Sequence, residues 1–178
     1  MLTKNPFIFC KEPFSPASLE QIFTMKPLVF LSLTLLSFSI AGISQADVRK
    51  KEFNLSKSSL ALGGYDPVAY FTQSKAVEGN KANSVLYNGV TYYFASPKNK
   101  ELFVANPARY EPQYGGWCAY AMGASAEKVD VDPETFKIVN DKLYLFYNKF
   151  FSNTLKTWNK DENKLKAKAD ANWTKFIK

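Results

Sequence analysis

Two β-favouring runs, Val85-Leu86-Tyr87 and Val90-Thr91-Tyr92-Tyr93-Phe94, flank Asn88-Gly89. Asn and Gly both tolerate positive φ, so this pattern predicts a hairpin closed by a type I′ turn. Ser96 followed by Pro97 predicts a capped helix, with Lys100, Leu102 and Phe103 at helical spacing, ending near Ala105 before Pro107. A second pair of runs, residues 136–139 and 143–147, surrounds Asn140-Asp141 and predicts another hairpin. Alternation along 143–147 puts Leu143, Leu145 and Tyr147 on one face, Tyr144 and Phe146 on the other. Apolar positions at Leu155 and Trp158, then at Leu165, Ala169, Trp173 and Phe176, predict helices over about 149–158 and 161–176. The order of elements gives an α+β fold class: a small antiparallel hairpin-based sheet, a short helix after the first hairpin, and C-terminal helices. No internal repeat and no Gly-rich phosphate loop interrupts it.

One stretch obeys neither period. From Met25 the chain places Lys26 before an apolar run, residues 28–40, and ends it with Ser44-Gln45-Ala46. A short apolar run followed by small residues three and one before a cut is the pattern of a secretory signal peptide cleaved after Ala46. The run is rich in Ser and Thr and shorter than the roughly 20 residues a spanning helix needs. The expected organisation is an upstream extension over 1–24, a signal peptide over 25–46, and one exported domain over 47–178. Its localisation is then periplasmic or secreted, with no stable membrane anchor after cleavage.

Composition narrows the chemistry. The chain has no histidine, which removes the commonest general base, His-based triads and most closed zinc sites. Of its two cysteines, Cys10 precedes the expected cut, leaving Cys118 without an intramolecular disulfide partner. Residues 47–178 hold 20 Lys and Arg against 14 Asp and Glu, and the excess lies in 142–178, with nine lysines against three acids. A lysine-rich amphipathic helix of this kind is a solvated face, or a surface for an acidic partner; an exported chain gives no reason to expect nucleic acid. Asp66-Pro67 reads as a helical cap. The stretch "VDVDPE" (129–134) alternates acids but lacks the Gly and terminal Glu of a Ca²⁺ loop, and reads as a turn and helix cap.

Several ordered motifs resemble one family. "GGYDPVAYF" (63–71), "YNGVTYYFASPKNKELFVANPARY" (87–110), "PQYGGWCAYA" and "KLYLFYN" are similar to the YHS domain, in its exported single-domain subgroup. That resemblance implies a small fold related to the treble clef. Metal-linked members place cysteines where this chain reads Ala69, Ala95 and Asn99, so three thiolate positions have become two methyl groups and an amide. In the exported subgroup the Cys118 position resembles a recurrent Cys, replaced in some relatives by selenocysteine, which implies redox or soft-metal chemistry there.

The residues themselves leave Cys118 open. A free thiol among Trp117, Ala119 and Tyr120 is either buried packing, a redox nucleophile, or a ligand. Met122, four positions on, shares its face, and a thiolate with a thioether suits Cu(I), a soft metal. No basic residue within five positions would depress the thiol pKa. Tyr87, Tyr93, Tyr114, Trp117 and Tyr120 are candidate pocket aromatics, or simply core with hydroxyls at the rim. The sequence thus points to an exported YHS-type binding module, metal- or redox-associated through Cys118. The alternatives are a thiol-based redox enzyme and a structural, partner-binding protein; ligand and protein partner stay unnamed.

Overall fold

The structure, a computed structural model, describes residues 44–178. The expected extension and most of the expected signal peptide lie outside those residues. Helix α1 (Gln45–Glu52) starts where the Ser44 side chain accepts the Asp47 N–H. Residues 55–61 return alongside the first hairpin through bridges Leu55↔Ala61 and Leu60↔Thr91. Asp66 accepts the N–H groups of Val68 (2.8 Å) and Ala69 (3.3 Å), capping the short α2 (Ala69–Thr72) as its sequence predicts.

Strands β1 (Asn80–Tyr87) and β2 (Val90–Phe94) pair antiparallel, with Tyr87 opposite Val90. Asn88 (φ 46°) and Gly89 (φ 80°) make the turn in the left-handed region, as that dipeptide predicts. Helix α3 (Pro97–Ala105) follows with Ser96 accepting the Asn99 N–H, and α4 (Pro107–Tyr110) adds one turn. Val90, Tyr92 and Phe94 point from β2 onto Phe103 of α3, with ring centroids of Tyr92 and Phe94 at 4.7 and 5.1 Å from it. Full burial of one such side chain stabilises by about 1.5–3 kcal/mol.

A tight turn at Gln113–Gly116 leads to α5 (Ala119–Ser125). The second hairpin is β3 (Asp132–Val139) with β4 (Lys142–Phe146), Ile138 facing Leu143. Its alternation holds: Leu143 and Leu145 join the first hairpin's core, while Tyr144 and Phe146 join a second cluster with Tyr114, Met122, Trp158 and Ala169. Tyr147 lies just beyond the strand. Leu143, Tyr144, Leu145 and Phe146 are all buried, Lys142 alone of β4 being exposed, so β4 separates two cores. Helices α6 (Thr154–Trp158) and α7 (Glu162–Phe176) close the second core, and the stripe Leu155, Trp158, Leu165, Ala169, Trp173, Phe176 faces it. Gly123 of α5 lets α7 pack close, since a Cβ there would run into the Leu165 carbonyl oxygen.

Two expectations change. Residues 149–153 are not helical: β5 (Asn148–Lys149) and β6 (Ser152–Asn153) form a third, very short hairpin. Phe150 and Phe151 both take positive φ, which no helix accommodates, and Asn153 instead caps α6 by accepting the Leu155 N–H at 3.1 Å. The stretch 129–134 is a turn but not a helix cap. Asp132 accepts the Glu134 N–H at 3.1 Å and the Thr135 hydroxyl at 2.8 Å, opening β3 beside the register shift between Asp132 and Phe136. No helix among the described residues is long and apolar enough to cross a membrane.

Candidate functional site

The segment around the thiol is built by glycine. Tyr114 (φ 55°), Gly115 (φ 59°) and Gly116 (φ 88°) run through the left-handed region, which only glycine enters without strain. At Gly115 a Cβ would sit 2.8 Å from both the Phe53 and Trp173 rings. The missing side chain therefore lets those rings approach to 5.8 Å between centroids. The loop is tied to the end of α1: Asn54 N–H donates to the Gly115 carbonyl at 2.9 Å, and Trp117 Nε1 to the Glu52 carbonyl at 2.7 Å. Lys128 adds an ion pair to Glu52, and the hydrogen bond from Lys128 holds the Glu52 carboxyl below its ordinary pKa against the pull of burial.

Cys118 stands at the start of α5 with no solvent exposure. Its Sγ accepts the Tyr147 N–H at 3.3 Å and lies 3.4 Å from Thr154 Oγ1. The Thr154 hydroxyl donates to the Tyr147 carbonyl at 2.9 Å, so its oxygen is left to accept the Cys118 S–H. Met122, also fully buried, sits one turn along α5 within the second core, and its carbonyl accepts the Asn172 side-chain amide at 2.9 Å. Among the described residues, no group of three or more His, Cys, Asp and Glu side chains could hold a metal ion.

The candidate aromatics scatter. Tyr87 packs edge-on to Phe103, with ring centroids 6.0 Å apart. Tyr93, half-buried, lies over Gly64 and Gly79. Tyr114 is buried in the second core and donates to Asp170 at 2.9 Å; burial, reinforced by that carboxylate, drives its pKa well up. Trp117 and Tyr120 pack at the edge of the same core. One groove lies between α1 and α7. It holds about 610 Å³ and is lined by Gln45, Val48, Arg49, Phe53, Trp173, Ile177 and Lys178.

Sequence reasoning missed the charge at that groove. Arg49, 7% exposed, forms a bidentate pair with Glu111, its Nη1 3.1 Å from Oε2 and its Nη2 on Oε1. Nη2 also reaches the Tyr92 hydroxyl at 3.3 Å, and that hydroxyl donates to Glu111 at 2.5 Å. The guanidinium lies 4.5 Å from the Phe53 ring centroid and 5.3 Å from that of Tyr87. Burial works against the Arg49 charge, but the hydrogen bond and attraction of Glu111 outweigh it and raise the pKa. Arg49 Nε is buried and has no hydrogen-bond partner among the described residues. Arg49 and Glu111 are 62 positions apart, and neither carries a local signal that would join them.

A second buried polar centre sits under the first hairpin. The fully buried Asp66 accepts from the Val68, Ala69 and Ala95 N–H groups and from Asn99 Nδ2, the last two at 2.8 and 2.7 Å. Ala69, Ala95 and Asn99 are the positions where the resemblance would put thiolates. Here they gather around one carboxylate, whose hydrogen bonds tie α2, the end of β2 and α3 together.

Residues 68–114 match the YHS domain family model. Comparison with curated proteins gives no match, and comparison with solved structures gives none either. The YHS span covers α2 through α4, including Ala69, Ala95 and Asn99 around Asp66, together with Glu111. It ends at Tyr114, before the glycine pair, the thiol, the second hairpin and the α7 wall of the groove.

Proposed function

We propose that this chain is an exported binding module carrying a YHS domain, and that it takes a small apolar molecule bearing a hydrogen-bond acceptor in the groove between α1 and α7. The observation that carries this reading is Arg49, which lines a groove of about 610 Å³ beside the apolar Val48, Phe53, Trp173 and Ile177, and whose Nε is buried without a hydrogen-bond partner among the described residues. An orphaned buried donor is costly, and a ligand acceptor would relieve it. The volume lies within the usual range for ligand sites, about 300–1,000 Å³. With the Arg49 charge already paired by Glu111, Lys178 supplies the groove's positive charge, so an apolar carboxylate or sulfonate suits it best.

The probe is 1-anilinonaphthalene-8-sulfonate, titrated by fluorescence and displaced by decanoate. Binding that Val48→Glu and Ile177→Glu each weaken roughly tenfold or more, at unchanged melting temperature, is the expected result. Equal binding by wild type and both variants would refute the groove.

The metal or redox role of Cys118 rests on the family resemblance. Around the thiol, the hydrogen-bond partners are a backbone N–H and a threonine hydroxyl, and Met122 lies among aromatic rings. This supports a packed thiol with a holding role over a Cu(I) ligand or nucleophile. Slow labelling of the native protein by a thiol probe, unaltered by Cu(I), is expected; fast labelling, or protection by Cu(I) that Met122→Leu weakens, would reinstate the chemical readings. Export is tested by mass spectrometry of protein from its host, with Asp47 expected at the N-terminus and retained Lys26 as the contrary result. A cut after Ala46 removes Gln45 and the Ser44 cap but leaves Val48, Arg49 and Phe53.

A further inference from the structure

We infer that the hairpin 148–153 is a membrane-contact tip whose two phenylalanines enter the headgroup boundary of an anionic bilayer. Asn148 pairs with Asn153 and Lys149 with Ser152, so Phe150 and Phe151 are the two turn residues. They are 88% and 110% exposed, with φ of 51° and 65°. Side chains are strained in that region, and Asn-Gly makes the same turn readily, as Asn88-Gly89 does at the first hairpin. Neither the core nor the turn asks for phenylalanine here. Whatever the rings gain must come from outside the molecule.

The base of the hairpin is fixed. The Tyr147 N–H is held by Cys118 Sγ at 3.3 Å, and the Tyr147 carbonyl accepts both the Thr154 N–H (3.0 Å) and hydroxyl (2.9 Å). Asn148 Nδ2 donates to Thr135 Oγ1 at 2.9 Å and to Asp132 at 3.3 Å. The buried thiol thus braces the residues on either side of the hairpin, which holds the rings outward.

Charge selects the partner. Residues 142–160 contain four lysines and no acid. Lys149, Lys156 and Lys160 are exposed, and none has an ion pair among the described residues. Asp132, the acid at the base, accepts hydrogen bonds from Thr135, Asn148 and the Glu134 N–H. A protruding aromatic pair flanked in the chain by cations matches an anionic lipid surface, where apolar burial and attraction to headgroups add. This inference is independent of the α1–α7 groove.

The test uses the full chain with vesicles of phosphatidylcholine, with and without phosphatidylglycerol. In Phe150→Trp, the reporter's emission should shift to the blue and be quenched by brominated lipid on phosphatidylglycerol vesicles. The double variant Phe150→Asn, Phe151→Gly should lose roughly tenfold or more in vesicle affinity while melting no lower than wild type. Both chains share the same N-terminal apolar stretch, so the difference belongs to the tip. Replacing Lys149, Lys156 and Lys160 with Gln should weaken binding and flatten its salt dependence. Unmoved reporter emission, equal vesicle affinity of wild type and double variant, or no preference for phosphatidylglycerol would overturn the proposal. The first two would leave an apolar pocket on a protein as the occupant.

Discussion

The first and third hairpins turn through the same backbone region with opposite sequences. Asn88-Gly89 uses the two residues best suited to positive φ, whereas Phe150-Phe151 uses two that resist it. The first turn lies against α1, where a Cβ on Gly89 would meet Lys50 Cε at 3.0 Å and the Ala46 oxygen at 3.2 Å. The third stands clear, its rings fully exposed. Where a turn serves the fold, local preference and tertiary contact agree. Where they part, the disagreement locates a surface that works outward.

The largest effect expected is at the first turn. Gly89→Val combines positive φ with β-branching and close neighbours on α1, and should cost on the order of 1–3 kcal/mol. An unchanged melting temperature would remove the contrast between the two turns.

Breaking the brace of the third hairpin should cost less. Cys118→Ala leaves the Tyr147 N–H without its sulfur acceptor, at about 1 kcal/mol by thermal or denaturant unfolding. Amide exchange at Tyr147 should quicken with it. A variant that melts like wild type, with Tyr147 exchange unmoved, would mean that the thiol does not hold the hairpin.

Relieving the third turn should change the sign. Phe150→Asn with Phe151→Gly removes strain and should stabilise by about 0.5–1 kcal/mol. Destabilisation instead would show that the rings support the fold, contrary to their exposure.

The smallest effect concerns the helix that follows. The hydrogen bond from Lys137 holds the Glu162 carboxyl below its ordinary pKa, against burial, with Trp158 Nε1 assisting. A depressed carboxyl contributes stability above the ordinary carboxylate range and loses it as pH falls through the lowered value. The melting-temperature gap between wild type and Glu162→Gln should therefore narrow on acidification. A gap constant with pH would uncouple this pair from the second core.

Local chemistry made much of the fold readable. Asn88-Gly89, Ser96-Pro97, Asp66-Pro67 and the alternation through 143–146 each act over a few residues, and each element forms where its pattern places it. The third hairpin escaped because Phe-Phe carries no turn signal; its strands are two residues long and take their place from Tyr147 and Thr154. Asp132 was readable as a turn but not as a strand start, since its partner Phe146 is distant in sequence.

By itself the sequence determined the α+β class, the first two hairpins, the caps at Asp66 and Ser96, and a thiol in a glycine-led loop. Tertiary structure alone decided that Cys118 braces a backbone 29 residues away, that β4 divides two cores, and that Arg49 and Glu111 meet across 62 positions. Hydrogen-bond geometry and hydrophobic period extend over a turn or a strand, and so can be read along the chain. Which buried charge finds which partner depends on how those elements stack, because the energy of the meeting exists only once water has been excluded from both.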